Sequence, residues 1–192
     1  MQDIWIPGTT IPFSDGESVF QMFRPLIRAT DGLTLGQVCK LTGLEQSTVQ
    51  NWIKRGFVPH PIGKKYHERQ LARILLISAL RDSLQIDRIG ALMQLVNGDA
   101  DDESDDIISE PQLYDDLCAC IARTKDRTPG ADGLSALIRD VTAERCATDP
   151  EAARRLREAL AVMVCAYIAA QYKQEAERRF RALAQEQEDH NG

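Results

Sequence analysis

Four side chains in one short stretch, Gln46, Ser47, Gln50 and Asn51, offer hydrogen bonds without carrying charge. A primary amide donates and accepts at once, which matches N6 and N7 of adenine in a DNA major groove, and a serine hydroxyl can serve any base edge. Lys54, Arg55, Lys64 and Lys65 follow closely. Cations of this kind hold phosphates and fix the register from which bases are read. Thr34, Tyr66 and Arg69 are assigned to the same backbone-contacting set. Between Thr34 and Leu75, seven Lys or Arg stand against two Glu, so a polyanion would meet this segment first.

Other chemistries find less to work with. There is no Gly-x-Gly-x-x-Gly, Walker loop, Gly-x-Ser-x-Gly elbow or His-Glu-x-x-His, and no alternation of strands and helices to build a nucleotide-binding sheet. His60 and His67 have no nucleophile motif or carboxylate to work with, so they read as loop or capping residues. The five cysteines, Cys39, Cys118, Cys120, Cys146 and Cys165, are odd in number and irregular in spacing, which fits neither a disulfide framework nor a zinc knuckle. Cys118 and Cys120 on a helix would point about 200° apart, so the cysteines are read as buried, reduced thiols. In the acidic run 98–106 the glycine precedes the acids and no Glu stands at the twelfth position, unlike a calcium loop. The expectation is a protein that is not an enzyme, with no cofactor and no metal.

Short helices must position the amides. Thr34-Leu35-Gly36-Gln37 has the form of a capping box, which starts a helix carrying Leu35, Val38 and Leu41 on its buried side. Gly43 ends it by taking a left-handed conformation. A second helix over 45–55 buries Val49, Trp52 and Ile53 and turns Gln46, Ser47, Gln50, Asn51 and Lys54 to other faces. Pro59, Pro61 and Gly63 exclude a helix over 57–66 and predict a loop or two-stranded wing with exposed lysines. Upstream, residues 1–14 read as an extended arm with Ile4, Trp5, Ile6 and Phe13 as apolar anchors, and a helix begins at Ser18 that Pro25 kinks or ends early. Downstream, helical patterns return over 68–82 and again through Ile86, Ile89, Leu92, Met93 and Val96. Asp149-Pro150 opens a terminal helix running to about Glu188. Its centre is apolar nearly all round, which calls either for wrapping by residues 107–148 or for a partner subunit.

Charge is uneven over the 192 residues: positions 1–97 carry a net +3 and positions 98–192 a net −9, for −6 in all. The domain reading follows this asymmetry. Residues 1–32 form an arm and helix packing on a DNA-binding domain at 33–97, residues 98–106 an acidic linker, and residues 107–192 a helical oligomerisation or partner-binding domain. No segment has the apolar length of a membrane span or the layout of a secretion signal, so a cytoplasmic location is expected.

The stretch from Leu33 to Val96 resembles the MerR-type winged helix-turn-helix domain. Leu35 to Leu44 is similar to its first helix and turn, and Thr48 to Pro59 to its recognition helix and exit. Lys65-Tyr66, Gln70 to Ile77 and Leu84 to Ile89 are similar to its wing and following helices. Val49 to Lys54 and Pro61 to Tyr66 further resemble an uncharacterised bacterial family of MerR-like proteins. The resemblance implies a MerR-like winged helix-turn-helix domain, and together with the helical patterns and charge downstream the expected fold is mostly α, with that domain followed by an acidic all-helical C-terminal domain that ends in a long helix. It also implies transcriptional regulation through double-stranded DNA, and the apolar centre of the terminal helix adds the expectation of a homodimer through the C-terminal helices. The alternative is a protein-interaction adaptor that keeps the shape without binding DNA.

Overall fold

The computed structural model describes residues 6–11, 19–98, 106–124, 129–143 and 149–190, which are mostly helical, with eight helices and no strand among them. The helices are α1 (Val19–Ala29), α2 (Leu35–Thr42), α3 (Gln46–Lys54), α4 (Glu68–Leu80), α5 (Ile86–Asn97), α6 (Glu110–Thr124), α7 (Ala131–Val141) and α8 (Pro150–His190). The expected anchors Ile4, Trp5 and Phe13, the acids at 99–105, and Cys146 lie outside the described residues.

α4 is the axis of the molecule. Leu71, Ala72 and every residue from Ile74 to Ile77 are buried, because α1, α2, α5, α6 and α8 all pack against this helix. The apolar core runs on without a break from Phe20 and Phe23 of α1, through Val49 and Trp52 of α3, to Leu113 and Leu117 of α6 and Leu160 and Met163 of α8. Helices on both sides of the acidic segment therefore share one interior. They also meet through hydrogen bonds, where Ile107 N–H donates to the Val96 carbonyl and the buried Asn97 amide donates to the Ile108 carbonyl.

The start of the chain is looped rather than extended over 6–11, since Ile6 N–H donates to the Ile11 carbonyl. Ile6 is buried, and the Tyr114 hydroxyl donates to the Pro7 carbonyl. Gly8, at φ +74, crosses so close to α4 that a Cβ there would lie 2.4 Å from the Leu75 carbonyl oxygen, a position only glycine can occupy. α1 continues through Pro25 instead of stopping there. It ends at Asp31 and Gly32, where both residues take positive φ and Gly32 N–H returns to the Ile27 carbonyl.

α8 extends for 41 residues, about 60 Å. Its first half packs on α4, α5, α6 and α7, while side chains from Gln171 to Gln185 are exposed apart from Glu175. No described helix is long and apolar enough to cross a membrane.

Candidate nucleic-acid interface

α2 and α3 form a pair of short helices, with α3 packed on α2 and α2 packed on α4. The Thr34 hydroxyl accepts from Gln37 N–H at 3.3 Å, and the Gln37 side chain accepts from Thr34 N–H at 2.8 Å, so both of these donors at the start of α2 are met. Gly43 ends α2 at φ 70 with its N–H on the Cys39 carbonyl. Buried Leu44 then anchors the short connection to α3.

Winding at about 100° per residue places Gln46, Ser47, Gln50, Asn51 and Lys54 within an arc of about 140° on α3, with Val49 and Trp52 opposite. Val49 is wholly buried and Trp52 nearly so, while all five polar residues of the arc are exposed. The candidate base-reading residues thus lie together on one uncovered helical face. Apolar burial on the other side holds α3 in place without using any of them.

The segment after α3 is held by a buried cation. Arg73 Nε donates to the Phe57 carbonyl at 3.0 Å, and Arg73 Nη1 meets Glu110 Oε1 at 2.9 Å. Arg69 Nε reaches the same carboxylate oxygen at 3.1 Å. The Arg73 and Glu110 side chains are 4% and 1% exposed, so this triad ties the exit of α3 to the first turn of α6 in a low-dielectric interior. Burial pulls the Arg73 guanidinium below its ordinary range, and the Glu110 carboxylate draws it back up. Sequence reasoning misses this triad. Its one signal is a lone Arg inside the apolar stretch of α4.

Past Val58 and Pro59, the chain makes a two-residue hairpin. Ile62 and Lys65 exchange both backbone hydrogen bonds, at 3.0 and 2.9 Å, around Gly63 and Lys64, both at positive φ. Tyr66 is in turn paired through its backbone with Leu33. These are isolated bridges, shorter than the two-stranded wing that the sequence allows. Lys64 and Ile62 project at the tip, Ile62 at 67% exposure.

Not every expected backbone-contacting residue is available. Lys54, Arg55 and Lys64 are exposed, as is Lys40 on α2. Arg55 lies 4.7 Å from the Phe57 ring centroid and 3.1 Å from Asp87. Lys65 instead folds back, its ammonium donating to the Thr30 and Gly32 carbonyls. Tyr66 is 3% exposed, and burial raises its hydroxyl above the usual tyrosine range. Arg69 is committed to Glu110. Tyr66 and Arg69 are therefore corrected to structural residues, because the core takes up the ring and the buried carboxylate takes a second cation. The Thr34 hydroxyl is exposed but already engaged in its cap.

His67 is the N-cap of α4, and the His60 backbone carbonyl accepts from the Gln70 amide. Cys118 and Cys120 are buried in α6, where burial raises both thiols, Cys120 to about 12. The expectation of burial fails for Cys165, which is exposed, and Cys39 is half-buried. No group of three or more metal-ligating side chains comes together among the described residues.

Residues 31–117 match a family described as "Domain of unknown function (DUF1836)". The match runs from the turn after α1 into α6, so it takes in α3, the hairpin and all three members of the buried triad. Over 91 residues the chain is 35% identical to "Uncharacterized protein YkrK" of Bacillus subtilis (strain 168), an alignment covering 45% of this chain and 39% of that protein. The chain thus spans well under half the length of that relative. No solved structure matches. These findings overturn the MerR-type resemblance: the matching family is a different one, and nothing in the comparisons points to a MerR-like domain.

Proposed function

We propose that this chain binds duplex DNA in a sequence-dependent way and acts as a transcriptional regulator in the cytoplasm, with no catalytic step of its own. The observation that carries the reading is the outer face of α3. Gln46, Ser47, Gln50 and Asn51 are exposed together on a helix whose other side is locked into the core. A helix in this setting fits a major groove about 12 Å wide, and its amides suit adenine. Lys54 continues the same face, and Lys40, Arg55 and Lys64 supply cations around it for phosphates. Three of the seven basic residues in this part of the chain are held by buried or backbone partners, and Arg55 must exchange its exposed Asp87 partner for a phosphate, which leaves at most four for DNA. Log affinity should then fall with log salt at a slope no steeper than about −3.6 per bound copy.

The test is selection of the full chain on a random duplex library at low salt. Enrichment of a defined sequence, lost on Asn51→Ala, supports the proposal. A second reading, the adaptor, draws on the exposed apolar residues of α8, Tyr172, Phe180 and Leu183. Failure to enrich any duplex favours it.

A further inference from the structure

α8 has two apolar faces, and only one is covered. Leu156, Leu160, Met163, Val164 and Ala170 are buried within the chain. On the other side Val162, Cys165, Ala169, Tyr172, Ala176, Phe180 and Leu183 are all exposed. Tyr172, Phe180 and Leu183 stand at 62%, 71% and 61%. At about 100° per residue the seven fall within an arc of about 80°, and the buried set lies roughly opposite. Their three- and four-residue steps average about 3.5, the period of a helix-on-helix seam. Beyond Gln174, whose amide reaches Asp82 at 3.2 Å, the helix is supported by its own ion pairs from Glu175 to Arg178 and Arg179 and from Glu177 to Arg181. Such pairs steady a helix by small amounts and do not cover an aromatic ring.

We propose that the occupant is α8 of a second copy of this chain, laid antiparallel across a two-fold axis near Gln174. The stripe is complementary to itself in that arrangement and in no parallel one. Its small residues, Cys165 and Ala169, lie toward the body, and its large ones, Phe180 and Leu183, toward the far end. Turned end for end, Leu183 meets Cys165 of the partner subunit, Phe180 meets Ala169 of the partner subunit, and Tyr172 meets Ala176 of the partner subunit. Each large side chain faces a small one, as knobs and holes require. A parallel pair would set Tyr172, Phe180 and Leu183 each against its own copy and leave the small residues facing one another. The antiparallel register also brings Lys173, beside the seam, near Glu177 of the partner subunit, twice by symmetry. The paired stretch from Cys165 to Leu183 is about 27 Å long, and between helices 10–12 Å across it buries on the order of 1,000 Å² in all. That lies near the lower edge of specific interfaces, so dissociation should fall in the micromolar range. The pairing does not depend on DNA binding.

Sedimentation equilibrium of the full chain across that concentration range should show a monomer–dimer equilibrium. Phe180→Glu with Leu183→Glu should remove the dimer and leave the circular dichroism of the folded monomer, since both side chains are exposed. A chain that stays monomeric throughout, or a dimer untouched by the double change, overturns the proposal. Orientation is read separately by adding a mild thiol oxidant to Leu183→Cys. A mass-mapped link between Cys165 and position 183 of the other copy supports the antiparallel seam, and a link between two Cys165 residues overturns it.

Discussion

α3 and α8 each bury one face and expose the other, yet what they expose could hardly differ more. The outer side of α3 shows amides, a hydroxyl and a lysine, while that of α8 shows an aliphatic and aromatic stripe. Identical helical geometry therefore suits opposite surroundings. Polar groups on α3 lose nothing by standing in water and gain when a partner offers matching donors and acceptors. Apolar groups on α8 gain from any contact that excludes water, and shape alone selects the contact. In the two proposals, specificity rests on hydrogen-bond pattern in the first region and on the order of large and small side chains in the second.

The largest expected effect concerns the frame that holds both faces. Glu110→Ala leaves Arg69 and Arg73 without their carboxylate and should lower unfolding stability by about 3–5 kcal/mol, read from urea denaturation. A smaller loss would mean that the exit of α3 is held to α6 by packing alone. Next, Asn51→Ala should weaken binding to a selected duplex by about 1–3 kcal/mol and leave nonspecific duplex unaffected, measured by competition titration. Equal losses on both would erase the distinction between pattern and charge. Thr34→Ala removes the α2 cap and should cost about 1 kcal/mol in thermal or urea unfolding. The smallest effect sharpens the charge assignment. Lys64→Ala should reduce the salt slope of DNA binding by about one, whereas Lys65→Ala, whose ammonium is bound to backbone carbonyls, should leave the slope unchanged.

Local signals carry a good deal of this. The capping box at Thr34, the stop at Gly43 and the spacing of Val49 and Trp52 mark α2 and α3 to within a residue or two, because each acts over one helical turn. The uncovered face of α3 is legible for the same reason. Long-range pairing is not. Lys65, Tyr66 and Arg69 look in sequence like free phosphate ligands, and only Thr30, Leu33 and Glu110, 35, 33 and 41 positions away, decide their use. Charge counting fails where a cation has an interior partner. Pro25 signals a kink or an early end, but burial of Phe20, Phe23 and Ile27 on one side carries α1 through it. For α8 the choice between an intramolecular and an intermolecular cover has no single answer, since one face is covered within the chain and the other stays open.

The proposed reading of base edges by the outer face of α3 is open to direct test. Its most direct measurement is low-salt selection of the full chain on random duplex DNA, repeated with the Asn51→Ala chain. One enriched sequence for the native chain and loss of preference for the variant is the expected result. The same background library recovered from both would contradict it.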